Sequence, residues 1–264
     1  MNLQCAVRAV LAETDVDAKL AGADRLWADW QAGRLDPVAT QRADPMLVEA
    51  GRPPRPELLP ARAMPRRELS GPAGHRALIH ALCHIEFTAI NLALDAAYRF
   101  PGMAAAFYAD WLQIAAEEAL HFRLLRDHLR HLGGDYGDLP AHGGLWETAM
   151  ATAHDPLARM AVVPRYFEAR GLDVTPGIQA KLRGYGDAAG AAILDVILRD
   201  EVGHVAAGDR WFRRLCGERG LVPAQEWPRL IAAAGLPAPR GPFNAEARAR
   251  AGFPVTELAP TGAN

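Results

Sequence analysis

The sequence predicts an all-α protein built around a four-helix bundle at residues 73–216. Apolar residues recur every three or four positions over long stretches, which is typical of helices with one buried face. No segment shows the alternation of polar and apolar residues that strands show, and glycine or proline ends most of the periodic stretches. Residues 1–72 are expected to form an N-terminal helical segment and a proline-rich strap, and residues 217–264 a C-terminal extension that packs on the bundle.

The first 72 residues divide into a helical part and a proline-rich part. The stretch from about Leu3 to Gly33 is rich in alanine and leucine, and Thr14 with Asp15 is placed to start a second helix. Eight prolines then fall within residues 34–72, and they exclude regular helix through most of that segment. We interpret it as an extended strap across the outside of a core or as a linker, with disorder as the alternative.

Four long helices are expected in the bundle, each bounded by helix-breaking residues. The first starts at His75 and ends before Pro101-Gly102, and the third is expected to be kinked at Pro164 and capped by Gly171. A short helical piece is expected between Pro176 and Gly184. The remaining expected helices span about Ala104–Leu132, Asp187–Leu215 and, in the C-terminal extension, part of residues 241–253 with Asn244 as N-cap and Gly252 past its end.

Composition narrows the classes of function. The formal net charge is -2, which argues against nucleic acid as a partner because nucleic-acid-binding domains usually carry a basic face. The three cysteines, Cys5, Cys83 and Cys216, lie far apart and form no Cys-x-x-Cys motif, so a reducing cytoplasmic location fits best. The N-terminus lacks the basic start of a signal peptide, and no run of apolar residues approaches the ~20 residues of a membrane span. We expect a soluble protein that is a monomer or a small homo-oligomer.

Acidic residues interrupt the apolar face of each bundle helix, and two of them belong to Glu-x-x-His motifs. These motifs are Glu118 with His121 and Glu201 with His204, and their spacing places a carboxylate and an imidazole side by side on one helix face. Glu86 lies on the predicted helix that precedes the one with Glu118 and His121. Buried carboxylates are costly unless they are paired, hydrogen-bonded or bound to a metal. The sequence therefore predicts a metal site rather than four separate solvated faces.

The heights of these residues along their helices support one shared site. Gly102 lies sixteen residues after Glu86 and sixteen before Glu118, so an antiparallel hairpin that turns there brings the two carboxylates level. In the second half, Glu168 lies three residues before Gly171 whereas Glu201 lies fourteen residues into its helix. The heights can match only if residues 172–186 carry the chain along the bundle, so the second match is permitted rather than required.

Other polar residues have candidate supporting roles. Glu117 and Asp200, each four residues before a predicted ligand histidine, could accept its second N–H, although a surface acid is about as good an interpretation. Tyr166 lies near the predicted centre, where aromatic packing is the default and a pocket or redox role the alternative. His80 and His84 share a helix face, but we expect partnered or surface histidines there rather than a second metal site.

The chain resembles the ferritin-like superfamily and, more narrowly, a bacterial ferritin-like family of unknown function. The resemblance is carried by HIEFTAINLALDA (84–96), EEALHF (117–122), FEARGLDVTPG (167–177), ILRDEVGHVAAG (197–208) and GPFNAEARARAGF (241–253). Two helices with one Glu each and two with Glu-x-x-His is the ligand pattern of ferritin-like di-iron and di-manganese bundles. The resemblance implies six metal ligands, all of the expected residue type: Glu86, Glu118, His121, Glu168, Glu201 and His204.

These residues favour a non-haem di-iron oxidoreductase, a hydroxylase or oxidase that activates O2 or peroxide on an unidentified small-molecule substrate. Two iron ions are the expected cofactor, with manganese as the alternative, because oxygen-rich ligands with two imidazoles suit these metals. No flavin, ferredoxin or nicotinamide motif is present, so an external electron donor is expected. The alternatives are a ferroxidase or other iron-handling protein, and a tRNA-modifying hydroxylase, which the near-neutral charge weakens.

Overall fold

The computed structural model describes residues 1–37, 49–65, 71–254 and 257, and within them it contains helices, turns and two isolated bridges but no strand. The predicted all-α class is confirmed. Parts of the predicted strap (38–48 and 66–70) and of the C-terminal extension (255, 256 and 258–264) lie outside the described residues. The chain divides into two compact units, Met1–Met150 and Ala151–Asn264. We call them unit 1 and unit 2.

Unit 1 contains two short N-terminal helices, a long helical hairpin and one further short helix. The hairpin turns at Gly102, whose φ of 82° is in the left-handed region that favours glycine. A 3-10 turn at Ala61–Ala63 lies in the strap. The helices are α1 (Leu3–Leu11), α2 (Val16–Gln31), α3 (Gly71–Arg99), α4 (Ala105–His131) and α5 (Gly144–Ala151).

Local signals explain most boundaries of unit 1. The Asp15 side chain accepts a hydrogen bond from the Ala18 N–H, so the predicted start of a second helix is confirmed with Asp15 as its N-cap. Helix α3 begins at Gly71 and not at His75, because a proline such as Pro72 is tolerated in the first helical turn. The segment after α4 contains helix α5, which the sequence did not predict.

Helix α3 has the length and mean hydropathy of a membrane span, contrary to the expectation that no such run exists. Of the described residues, only Gly71–Arg99 meets both criteria, and 78% of its most apolar window is buried inside the protein. The core helix of a globular protein can meet the same criteria. The burial of α3 indicates that it lies centrally in the core.

A buried lysine joins three helices of unit 1. The ammonium of Lys19 on α2 donates to the Leu11 carbonyl at 3.0 Å and to Asn91 Oδ1 on α3 at 2.5 Å, and it lies 5.7 Å from the centroid of the Phe87 ring. Burial lowers the pKa of Lys19 from 10.5 to about 7, against the opposing effect of Glu13. Lys19 therefore links these helices through polar contacts, and keeping its side chain charged in the core is costly.

Unit 2 contains a second helical hairpin preceded by an irregular segment. A π-helical segment, Val163–Glu168, interrupts the first arm and contains Pro164, where the sequence predicted a kink. Proline has no N–H for the i→i−4 ladder, which favours such a departure from α-helix. The α-helices are α6 (Pro156–Val162), α7 (Ala169–Gly184), α8 (Ala188–Glu218), α9 (Pro223–Ala233) and α10 (Ala245–Arg250).

The predicted end of the third bundle helix at Gly171 and the predicted start at Pro176 are both wrong. Helix α7 runs through both residues and ends at Gly184. Pro176 removes the donor that would bond the Leu172 carbonyl, and the side-chain amide of Asn244 donates to that carbonyl instead, at 3.1 Å. A contact from far along the chain therefore permits a proline that local rules place at a helix end.

This correction makes the second hairpin more like the first. The turn between α7 and α8 lies at Gly186, whose φ is 76°. Glu168 precedes Gly186 by eighteen residues, and Glu201 follows it by fifteen. At about 1.5 Å of rise per residue the two acids differ in height by less than one helical turn. The continuous helix α7 thus covers the distance along the hairpin that residues 172–186 were expected to cover.

The C-terminal extension is fixed within unit 2 by a buried arginine. Arg165 donates to Asp209 and to Glu257, both at 2.6 Å, and its guanidinium lies 4.6–4.7 Å from the centroids of three aromatic rings. These rings belong to Phe212, Trp227 and Phe253. Trp227 lies on α9, which the sequence did not predict, whereas α10 and its Asn244 cap are confirmed.

We expect Gly208→Ala to destabilise the protein, because a Cβ at Gly208 on α8 would overlap the ring of Pro164. Overpacking of this kind costs about 1–3 kcal/mol in the free energy of unfolding, measurable by urea denaturation. Gly203→Ala on the same helix is the control, since its added Cβ meets nothing within 4 Å. Equal stability of the two variants would contradict the close approach of Pro164 to α8.

The free energy of unfolding of the wild type is expected to rise with pH, and we expect Lys19→Met to remove this rise. Between pH 7 and 10.5 the unfolded chain still binds the Lys19 proton and the folded chain has lost it, so the wild-type free energy of unfolding rises with pH. At about 1.4 kcal/mol per pKa unit the gain from pH 7 to 10 is ~3 kcal/mol. Urea denaturation at both pH values measures it, and a difference between wild type and variant that does not change with pH would refute the assignment.

Candidate metal centre

Three ligand-type side chains meet in the core of unit 1. Glu86 on α3 and Glu118 and His121 on α4 are 5%, 0% and 0% exposed. His121 Nδ1 lies 3.2 Å from Glu118 Oε2 and 3.5 Å from Glu86 Oε2. One ligand atom from each of the three residues lies within 4.8 Å of the others, which is a separation that one or two metal ions can bridge. We call these three residues the unit 1 cluster.

The hairpin geometry explains why the three side chains meet. Glu86 lies on the buried stripe of α3, and Glu118 and His121 lie on the buried stripe of α4. The turn at Gly102 is equally distant in sequence from the two glutamates, as the sequence predicted. The i, i+3 spacing of Glu118 and His121 then places the imidazole one turn along the same face.

The charges of the unit 1 cluster are strongly coupled to one another. Burial and the neighbouring carboxylate of Glu118 raise the pKa of Glu86 well above its ordinary value. Burial lowers the pKa of His121, but the hydrogen bonds and charges of Glu118 and Glu86 outweigh it and raise the pKa to about 11. The two carboxylates repel each other, and both attract a cation, either the imidazolium or a metal ion.

The donor set of the unit 1 cluster fits a divalent metal. Carboxylate oxygens and an imidazole nitrogen suit iron or manganese, whereas zinc and copper(I) sites usually include thiolates or more imidazoles. Cys83 is buried on the same stripe of α3, but burial and the charge of Glu86 raise the pKa of its thiol.

Unit 2 carries the other three predicted ligands. His204 is buried on α8, and its Nδ1 lies 3.6 Å from Glu201 Oε2, so the second Glu-x-x-His pair faces one direction as predicted. Glu168 is the last residue of the π-helical segment and is half-buried. In the described part of unit 2, Glu168, Glu201 and His204 do not form a group with ligand atoms all within 4.8 Å.

The predicted supporting residues have identifiable contacts within their own units. Glu117 accepts a hydrogen bond from Gln113, one turn earlier on α4, at 2.9 Å. Asp200 accepts from its neighbour Arg199 at 2.8 Å. The Tyr166 hydroxyl donates to the Pro237 carbonyl at 2.9 Å, and its ring lines a cavity beside the C-terminal extension. The supporting roles remain predictions.

His80 and His84 are partnered, as the sequence predicted. His80 is buried and its Nε2 accepts from the Gly137 N–H at 3.1 Å. The two ring nitrogens of His84 lie 3.0 Å from the Tyr136 hydroxyl and 3.3 Å from the His142 carbonyl. A carbonyl only accepts, so Nε2 of His84 carries the proton and Tyr136 donates to Nδ1.

The sequence did not point to Lys19, Tyr136 or Asn91. Asn91 had a signal, because an amide in the middle of an apolar helical run requires a buried partner. Lys19 and Tyr136 had none, since both stand in ordinary local contexts and have hydrogen-bond partners, Asn91 and His84, that lie 72 and 52 positions away.

Together the fold and these side chains define an all-α protein with a buried carboxylate–imidazole cluster. The chain belongs to the family described as "Protein of unknown function (DUF455)", whose model matches residues 12–259. It is similar to a protein of Haemophilus influenzae named "Uncharacterized protein", with 46% identity over 213 residues, 78% of this chain and 74% of the relative. No solved structure matches the chain. All six predicted ligands lie inside the matched region.

We expect Glu86→Gln to abolish stabilisation by metal while leaving the metal-free protein nearly as stable as wild type. The amide keeps the shape and hydrogen-bonding capacity of the carboxyl group, so the metal-free change should be below about 1 kcal/mol. Wild type should gain about 2.7 kcal/mol when free Fe(II) or Mn(II) reaches a hundred times its dissociation constant.

The measurement is anaerobic urea denaturation with chelator and then with added metal. Glu218→Gln is the matched control, because Glu218 is an exposed glutamate that pairs with Arg214 on the surface of α8. Metal stabilisation retained by Glu86→Gln, or lost by Glu218→Gln, would contradict the assignment of Glu86 as a ligand.

Proposed function

We propose that the chain is a di-metal carboxylate oxidoreductase that holds two iron or two manganese ions and activates O2 or peroxide on a small-molecule substrate. The observation that carries this proposal is the unit 1 cluster, in which two carboxylates and an imidazole are buried with ligand atoms within 4.8 Å. A core has no structural need for two adjacent buried carboxylates, and their desolvation is costly without a cation.

The residues of unit 2 support the proposal by type and spacing. Glu201 and His204 repeat the Glu-x-x-His spacing of unit 1, and Glu168 corresponds in type to Glu86. In the proposed arrangement Glu118 and Glu201 would be the carboxylate ligands of the two Glu-x-x-His motifs, and Glu86 and Glu168 would be the carboxylate ligands from the other two helices. Four carboxylates would balance the charge of two divalent ions, and two neutral imidazoles would complete the set.

The surroundings of the unit 1 cluster suit oxidation chemistry. Trp111, Ile114 and Phe122 are buried on the same stripe of α4 as Glu118. The bound metal ions would supply the redox chemistry, and the protein would hold them in a dry, negatively charged interior. The sequence contains no flavin, ferredoxin or nicotinamide motif, so a separate reductase is proposed as the electron donor.

The π-helical segment of unit 2 adds independent support. Such segments are rare, occur mostly as single turns within α-helices and are frequent at functional sites. Here the segment ends on Glu168, one of the predicted ligands. Because a π-turn rotates the residues that follow it relative to an α-helix, the segment sets the direction of the Glu168 side chain. The ferritin-like resemblance of the sequence agrees in type at all six positions.

Metal analysis of natively purified protein tests the proposal. We expect about two iron or manganese ions per wild-type chain and loss of both in Glu118→Ala/Glu201→Ala. Glu118→Gln/Glu201→Gln preserves side-chain volume and separates loss of ligands from loss of fold, which circular dichroism checks. Unchanged metal content in folded double variants would refute the site.

The reaction class has a separate test. Protein loaded with Fe(II) without oxygen should consume O2 when mixed with it, and the glutamine double variant should not. The amount of iron retained then separates an enzyme from an iron store. A small assembly that retains about two ions per chain supports the oxidoreductase, and a large shell that accumulates many more contradicts it.

A further inference from the structure

Unit 1 contains a second candidate site, a cavity of about 440 Å³ on another face of α3. Its walls come from the strap, α3, the loop after α4, and α5. A volume of this size is within the range of small-molecule binding pockets. We call it the strap cavity.

The strap cavity is separate from the unit 1 cluster. The residues of α3 that line it, His84, Phe87, Thr88 and Asn91, recur at three- and four-residue spacing and so form one face. Glu86 is two residues from His84, which is a rotation of about 200° around the helix. The metal ligand and the strap cavity therefore lie on opposite sides of α3.

Hydrogen bonds fix the walls of the strap cavity. The Gly51 N–H donates to the Leu11 carbonyl at 2.8 Å, and a Cβ at Gly51 would overlap the backbone of Ala12. Further along the strap, the Leu59 N–H donates to the Ala141 carbonyl at 2.8 Å and the Ala141 N–H donates to the Glu57 carbonyl at 2.9 Å. Hydrogen bonds therefore fix the part of the strap that lines the cavity on both of its sides, so this wall is preformed.

The lining indicates what the strap cavity can bind. Three aromatic rings face it, from Phe87, Tyr136 and Trp146, and they suit a flat apolar body. Two carboxylates, Glu49 and Glu147, line it with one guanidinium, that of Arg52, so its charged residues leave one net negative charge. The faces of aromatic rings also attract cations. His84 also lines the cavity, and its two ring nitrogens lie 3.0 Å from the Tyr136 hydroxyl and 3.3 Å from the His142 carbonyl.

We propose that the strap cavity binds a small organic amine with a flat, aromatic or similarly apolar body and one positive charge. The rings would hold the body, and the carboxylates of Glu49 and Glu147 would hold the ammonium group. This proposal does not depend on the metal site, since none of the unit 1 cluster residues lines the cavity.

Isothermal titration calorimetry with three related probes tests the proposal. Tryptamine is a cation, indole-3-acetate an anion and indole uncharged, and all three share one ring system. The protein is the full chain treated with chelator, so the outcome is independent of metal loading. We expect tryptamine to bind at least about ten-fold more tightly than either of the others, since each ten-fold step is 1.4 kcal/mol.

Variants identify the residues responsible for binding. Glu147→Gln and Glu49→Gln should each weaken tryptamine binding several-fold, and Trp146→Ala should weaken binding of tryptamine and of indole. Glu57→Gln is the matched control, since Glu57 is an exposed glutamate on the same strap that does not line the cavity. Urea midpoints of all variants show whether each remains folded.

The proposal is overturned if indole-3-acetate binds more tightly than tryptamine, or if no probe binds at millimolar concentration. It is equally overturned if Glu57→Gln weakens tryptamine binding as much as the lining variants do. None of these outcomes changes the expected metal content, so failure here and failure of the metal proposal are distinguishable.

Discussion

The arrangement of unit 1 depends on how the buried carboxylates of Glu86 and Glu118 are compensated. Each carboxylate alone would be costly in an apolar core, and together they repel. The imidazole of His121 is within 3.5 Å of both, which offsets part of that cost. The compensation requires α3 and α4 to lie level, and the length of the hairpin on each side of Gly102 meets that requirement.

Unit 2 solves a related problem with a cation. Arg165 is fully buried, and two carboxylates and three aromatic rings surround its guanidinium. These partners come from α8, α9 and the C-terminal extension, so the charge holds together segments that are distant in sequence. Arg165 also lies in the π-helical segment, three residues before Glu168. The contacts that fix this arginine therefore fix the backbone that presents a predicted metal ligand.

The sequence predicted what depends on local periodicity and missed what depends on distant contacts. Helices α3, α4 and α8 are long, amphipathic and bounded by glycine or capping residues, and the Glu-x-x-His pairs follow from helix geometry alone. Gly171 and Pro176 were misinterpreted because the Asn244 amide, about seventy residues away, compensates for the proline. The short helices α5 and α9 lack a long apolar stripe, although Pro223 at the start of α9 was an available signal. Nothing local distinguishes the buried Lys19.

Helix α3 carries residues of both the unit 1 cluster and the strap cavity. Its apolar composition resembles a membrane span, yet polar residues occur on two of its faces. Glu86 lies on one face, and Thr88 and Asn91 lie on the other, where they line the strap cavity. Asn91 also accepts from Lys19, so the wall of this cavity is tied to α2 by a buried ammonium. A change at Asn91 would therefore alter both the cavity and the packing of the N-terminal helices, whereas a change at Glu86 would act on the unit 1 cluster alone. Because the two faces are separated by about half a helical turn, the chain can vary one site while it keeps the other.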